Sequence, residues 1–129
     1  MKETKVISKT LKGYSRYLFF SNGRIFNLIT NKYMRDHDDG KNGYRKIKLV
    51  NDEGARIHWY LNRLFYTVFY GPILAGMEID HNNGDRLDNR PDNLSAMTHL
   101  QNMRMKKQRD CRSLFHHNAK KGTSQNNET

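Results

Sequence analysis

This chain has a single cysteine, Cys111, which excludes an intramolecular disulfide and any cysteine-rich zinc knuckle built within it. A lone thiol fits a reducing compartment, so a cytoplasmic location is expected. Long apolar runs are missing too. No stretch approaches the ~18 uninterrupted apolar residues that a membrane span needs, and the opening MKETKVISKT lacks the apolar stretch of a signal peptide. Apolar residues make up only 36% of the 129 positions, and mean hydropathy is −0.96. The core is therefore small, and a bound metal or nucleic acid is expected to add to the order of the domain. Acid is scarce as well: 13 Asp and Glu face 23 Lys and Arg, a net charge of +10. That imbalance is the electrostatic footprint of a protein that binds a polyanion. The length allows one compact domain and a tail, not two full domains.

What is present falls into three regions. Residues 14–58 alternate short β-prone runs with turn signals. Tyr17-Leu18-Phe19-Phe20 and Arg24 to Ile29 flank Ser21-Asn22-Gly23, and Tyr44 to Val50 and Ala55 to Trp59 flank Asn51-Asp52-Glu53-Gly54. Lys46 and Lys48 alternate with Ile47 and Leu49, the period of a strand with one wet face. A small antiparallel sheet is expected here. The period then changes. Leu61, Leu64, Phe65, Val68 and Phe69 form one stripe of an amphipathic helix, which Gly71-Pro72 ends because proline cannot continue the ladder. Spacing of this kind marks a core face.

The third region, from Met77 to Arg104, holds most of the chemistry. Met77-Glu78-Ile79-Asp80 reads as a strand, 82–91 as a polar reversal rich in Asn, Asp and Gly, and Asn93 to Met97 as the returning strand. Thr98 is placed as an N-cap with Gln101 completing a capping box. Asn102 then sits in the first turn and a half of a helix, within roughly 6 Å of its start. The order strand, loop, strand, helix gathers Asp80, His81, Asn93 and Asn102 at one point. An imidazole, with an ordinary pKa near ~6.5, can take a proton from water. A hard divalent ion prefers oxygen ligands and is often held by one or two protein oxygens plus substrate phosphate. Asp80 and Asn102 offer two such oxygens, and the Asn93 amide, both donor and acceptor, suits a brace across the hairpin. The chemistry expected of this set is phosphodiester hydrolysis.

These residues resemble a known family. The pattern is similar to the HNH endonucleases with a ββα-metal core, especially the small phage-type homing endonucleases. The likeness runs from about residue 14 to 105. It is carried by Asn62-Arg63-Leu64, Val68 to Ile73, Gly76 to Asp85, Asp88-Asn89-Arg90, Asp92-Asn93-Leu94 and Gln101 to Arg104. Phe20 to Ile25 and Asn42-Gly43-Tyr44 extend it upstream. The resemblance implies an α+β fold, with a small N-terminal antiparallel sheet and a helix ahead of the ββα core. It implies that Asp80 and Asn102 hold one divalent ion, Mg²⁺ or Mn²⁺, that His81 is the general base and that Asn93 is the bracing asparagine. Double-stranded DNA is the implied partner, with the host cytoplasm as location if the gene is phage-borne. Where such relatives show histidine, this chain has Asn62; His58 lies four residues earlier.

The expected organisation is an N-terminal extension over 1–13, one nuclease domain over 14–105 with the ββα unit at 77–109, and a basic polar tail over 110–129. Arg86, Arg90, Arg104, Lys106, Lys107, Arg109 and Arg112 are the candidate DNA contacts. A homing or nicking endonuclease is the expected type. A nick and a double-strand break both remain open, the latter needing dimerisation or two successive encounters, and so do monomer and homodimer. The alternatives are a non-catalytic DNA-binding protein on the same fold, which would have lost His81 or the carboxylate, and a ribonuclease.

Overall fold

The computed structural model describes residues 5–104 and residue 107, and among these it holds two small sheets, two helices and one hairpin. The first sheet is antiparallel, in the order β1 (Ser8–Lys9), β2 (Tyr17–Phe20), β3 (Ile25–Asn27) and β4 (Lys32–Tyr33). The second sheet joins β5 (His37–Asp38), β6 (Arg45–Val50) and β7 (Arg56–Tyr60), again antiparallel. The helix α1 (Leu61–Tyr70) follows at once, then the hairpin of β8 (Met77–His81) and β9 (Leu94–Thr98), and residues 99–104 are helical (α2).

The strand-rich region is thus two sheets where one was expected. Each long strand buries one face only. Tyr17 and Phe19 point inward from β2, and Ile47 and Leu49 point inward from β6. Two such strands satisfy their apolar sides by packing into a shared core, and they need not pair edge to edge. The link between the sheets is also polar: the Val50 N–H donates to the Tyr17 hydroxyl at 2.9 Å. Part of the expected N-terminal extension belongs to the fold, since Ser8 pairs with Phe20 and Lys9 with Phe19 in β1.

The helix forms where its stripe predicts. Leu61, Leu64, Phe65 and Val68 are buried, and Phe65 meets Phe19 edge-on with ring centroids 6.2 Å apart. Gly71 ends it at φ 112°, in the left-handed region that favours glycine, and its N–H returns to the Thr67 carbonyl. Two side chains fix α1 to the hairpin. Asn62 Nδ2 donates to the Ile79 carbonyl at 3.0 Å, and the Tyr70 hydroxyl donates to the Pro91 carbonyl at 2.8 Å. Ile79 and Leu94, one from each hairpin strand, complete the core. Asn62 therefore has a structural task, while His58 lies on β7 and is exposed. No helix among the described residues is long and apolar enough to cross a membrane.

Candidate functional site

The hairpin pairs Met77 with Thr98 at its base and His81 with Leu94 at its mouth. Between them, residues 82–93 form a loop held by side chains that take over backbone bonding. Asn83 Oδ1 accepts from the Asp85 N–H, and Asp85 Oδ1 accepts from the Leu87 N–H. Asn93 closes the loop. It lies in a 3₁₀ turn (Pro91–Asn93) just before β9, one position outside the strand expected to include it. Its amide Oδ1 accepts from the Asn83 N–H at 3.1 Å, while Nδ2 donates to Asn83 Oδ1 and to the Asp88 carbonyl at 3.0 and 2.8 Å. Both ends of the amide are spent across the loop, which is the geometry of a brace.

His81 and Asp80, consecutive at the end of β8, are 4% and 8% exposed. His81 Nε2 lies 2.7 Å from Asn89 Oδ1, and the Tyr44 ring flanks the imidazole with centroids 6.1 Å apart. Neither Asn89 nor Tyr44 was assigned a role from sequence. Asn89 stands within a tripeptide that carries the family resemblance, but its target depends on how the loop closes. Tyr44 arrives from β6's approach, far away in the chain, with no local signal.

The capping box forms as spaced: the Gln101 N–H donates to Thr98 Oγ1 at 3.1 Å, and the Thr98 N–H to Gln101 Oε1 at 2.9 Å. It starts α2 beside the base of the hairpin and delivers Asn102, whose Nδ2 donates to Glu78 Oε1 at 2.6 Å. His99 Nδ1 lies 2.5 Å from the other Glu78 oxygen. Glu78 and Asp80 are two apart on one strand and so share its face. Glu78 is a member of this cluster that sequence reasoning missed, although the two-residue spacing was a usable signal. Among the described residues no group of three or more His, Cys, Asp and Glu is placed to hold a metal. The neighbourhood instead offers carboxylates and a carboxamide, oxygen donors that fit a hard divalent ion completing its sphere with water and phosphate.

Two of the expected DNA contacts are engaged within the protein. Arg86 places its guanidinium over the Tyr44 ring, 4.4 Å from the centroid, and donates to the Asn42 carbonyl. Arg90 binds Asp88 with both arms of its fork, at 2.8 Å each. These hydrogen bonds hold the Asp88 carboxyl down to about 2 and push the Arg90 guanidinium still further up. Both arginines thus spend part of their donors on shaping the loop. Arg104, on α2, and Lys107 are both exposed. Lys106, Arg109 and Arg112 lie outside the described residues.

A basic surface not assigned from sequence stands on the second sheet. Lys48 pairs with His58, Lys46 with Tyr60, and Val50 with Arg56 across β6 and β7. Lys48, Arg56 and His58 are exposed, while Ile47 and Leu49 turn inward. The alternation of lysine with aliphatic residues had marked this wet face, but register alone shows which cations line up on it.

The family model of the HNH endonucleases matches residues 60–104, from the last residue of β7 through α1 and the hairpin into α2. Among solved structures the chain is similar to one described as "DNA binding and cleavage by the HNH homing endonuclease I-HmuI". The TM-score is 0.71 and the identity 25%, over 81% of this chain and 59% of that one. The chain thus spans 59% of the length of that relative. No curated protein compared with it matches.

Proposed function

Residues 60–104 carry the pattern of the HNH endonucleases, and on that footing we propose that this chain is a metal-dependent endonuclease acting on double-stranded DNA. One observation carries the reading. Asp80 and His81 end a buried strand at the mouth of a braced hairpin, and a capped helix brings Asn102 against the same strand. The net charge of +10 supplies the attraction for a phosphate backbone.

In this reading His81 takes the proton of a water that attacks phosphorus. The bond from the water oxygen to phosphorus forms as the bond to the 3′-oxygen breaks. The 3′-oxygen takes a proton from solvent and His81 returns its proton to solvent, leaving a 5′-phosphate and a 3′-hydroxyl. Asn93 braces the loop that follows His81, so the base is in place before substrate arrives. Asp80 and Asn102 are the residues that would hold the ion. When bound, Mg²⁺ or Mn²⁺ supplies charge stabilisation at the phosphate and the departing oxygen. One histidine gives one active site per chain, so a single encounter nicks one strand, as in a phage-type homing or nicking endonuclease.

The test is supercoiled plasmid incubated with purified protein and Mg²⁺ or Mn²⁺. Conversion to nicked circles that stops in excess EDTA is expected. Undiminished cleavage in EDTA contradicts metal dependence. DNA binding with no cleavage under any divalent ion would favour the non-catalytic alternative, and cleavage confined to RNA would favour the ribonuclease.

A further inference from the structure

We propose that Asn89 is a positioning residue that fixes the tautomer of His81, leaving Nδ1 as the nitrogen that accepts the proton. This deepens the nuclease reading above and rests on it.

The argument starts from what an amide can offer. Its oxygen only accepts and its nitrogen only donates. The Asn89 Nδ2 is committed to the Arg86 carbonyl, at 3.3 Å. The Oδ1 end therefore faces the ring, 2.7 Å from His81 Nε2. An acceptor at that distance requires a donor opposite, so Nε2 carries the hydrogen. In a neutral imidazole Nδ1 is then bare, with its lone pair available. Asn89 is 6% exposed and His81 4%, so water has little access with which to compete for this bond.

The loop is built to keep Asn89 in place. Its preceding residue, Asp88, is gripped by the Arg90 fork and by Asn83 Nδ2 at 3.0 Å, and the Asp88 carbonyl accepts from Asn93. The carbonyl that orients the amide belongs to Arg86, itself anchored over Tyr44. Tyr44 in turn flanks the imidazole. The amide, the ring and the aromatic beside it thus form one closed set of contacts around His81. A histidine free to adopt either tautomer would present the wrong nitrogen part of the time, and that fraction of molecules would be idle.

The test is nitrogen NMR of the His81 ring at a pH where it is neutral, together with steady-state cleavage. Wild-type protein should show Nε2 protonated and Nδ1 bare. Asn89→Leu removes the acceptor at similar volume. It should show mixed tautomers, with kcat lower by at least about 10-fold and KM little changed, the scale seen when the orienting partner of a functional histidine is removed. Asn89→Asp keeps an acceptor and should retain the wild-type tautomer. The wild-type spectrum needs no variant to fold, and a proton found on its Nδ1 overturns the proposal. So does an Asn89→Leu protein that keeps both the wild-type tautomer and the wild-type kcat. Wild-type protein that fails to cut any plasmid would refute the nuclease reading instead, while the tautomer measurement would still report on Asn89.

Discussion

Asn102 gives its amide nitrogen to Glu78 across the junction between α2 and β8, at 2.6 Å. With Nδ2 spent on that carboxylate, the amide oxygen is the end left to face a cation. In the proposed metal site, Glu78 would therefore orient the Asn102 oxygen and add negative charge beside Asp80. Glu78→Ala is expected to raise the Mg²⁺ concentration for half-maximal cleavage by roughly 10–100-fold, the usual cost of losing a ligand's supporting partner. It should also weaken Mn²⁺ binding measured by calorimetry, with the fold intact by circular dichroism. An unchanged metal requirement would remove Glu78 from the site.

The Asp88–Arg90 pair makes the hairpin loop sensitive to acid. Arg90 hydrogen bonds are the largest cause that lowers the Asp88 carboxyl from 3.8 to about 2. A group depressed on folding adds stability above its unfolded value and loses that contribution as pH falls through the folded one. Asp88→Asn should thus be less stable than wild type at neutral pH, and the gap should close as pH falls from 3.8 to about 2. Thermal melts of both proteins across that window check this, and a gap of constant size there would contradict it.

The basic face of the second sheet should be felt in the salt dependence of DNA binding. Lys46 and Lys48 stand beside Tyr60 and His58 on its wet side. Each phosphate neutralised contributes about 0.9 to the magnitude of the log–log slope of affinity against salt. Replacing Lys46 and Lys48 by alanine should make that slope shallower by up to about 1.8 in a filter-binding titration, with sequence preference little altered. A slope equal to wild type would place DNA elsewhere on the protein.

Local pattern made a definite part of this structure legible. The α1 stripe and the Thr98–Gln101 capping box are written within a few residues, so periodicity and spacing suffice to find them. The candidate residues Asp80, His81, Asn93 and Asn102 were singled out for the same reason, as spacings along one short stretch. The two-residue strands β1, β4 and β5 were not, because two residues are too few to show a period. The way the two sheets meet rests in part on Tyr17 reaching Val50, a contact no local pattern announces. The partners of the site residues were equally hidden. Glu78 reaches Asn102, and Tyr44 reaches both His81 and Arg86, through tertiary closure. Arg86 and Arg90 read as DNA contacts from charge alone. Their fixed contacts to Tyr44 and Asp88 are visible only once the loop is folded.

The most direct measurement is the cleavage rate of His81→Ala on supercoiled plasmid with Mg²⁺, paired with its affinity for the same DNA. If His81 is the general base, cleavage should fall by roughly 10²–10⁴-fold while binding stays near wild type, since the proposed phosphate contacts lie on other residues. A His81→Ala protein that cuts at the wild-type rate would contradict the mechanism.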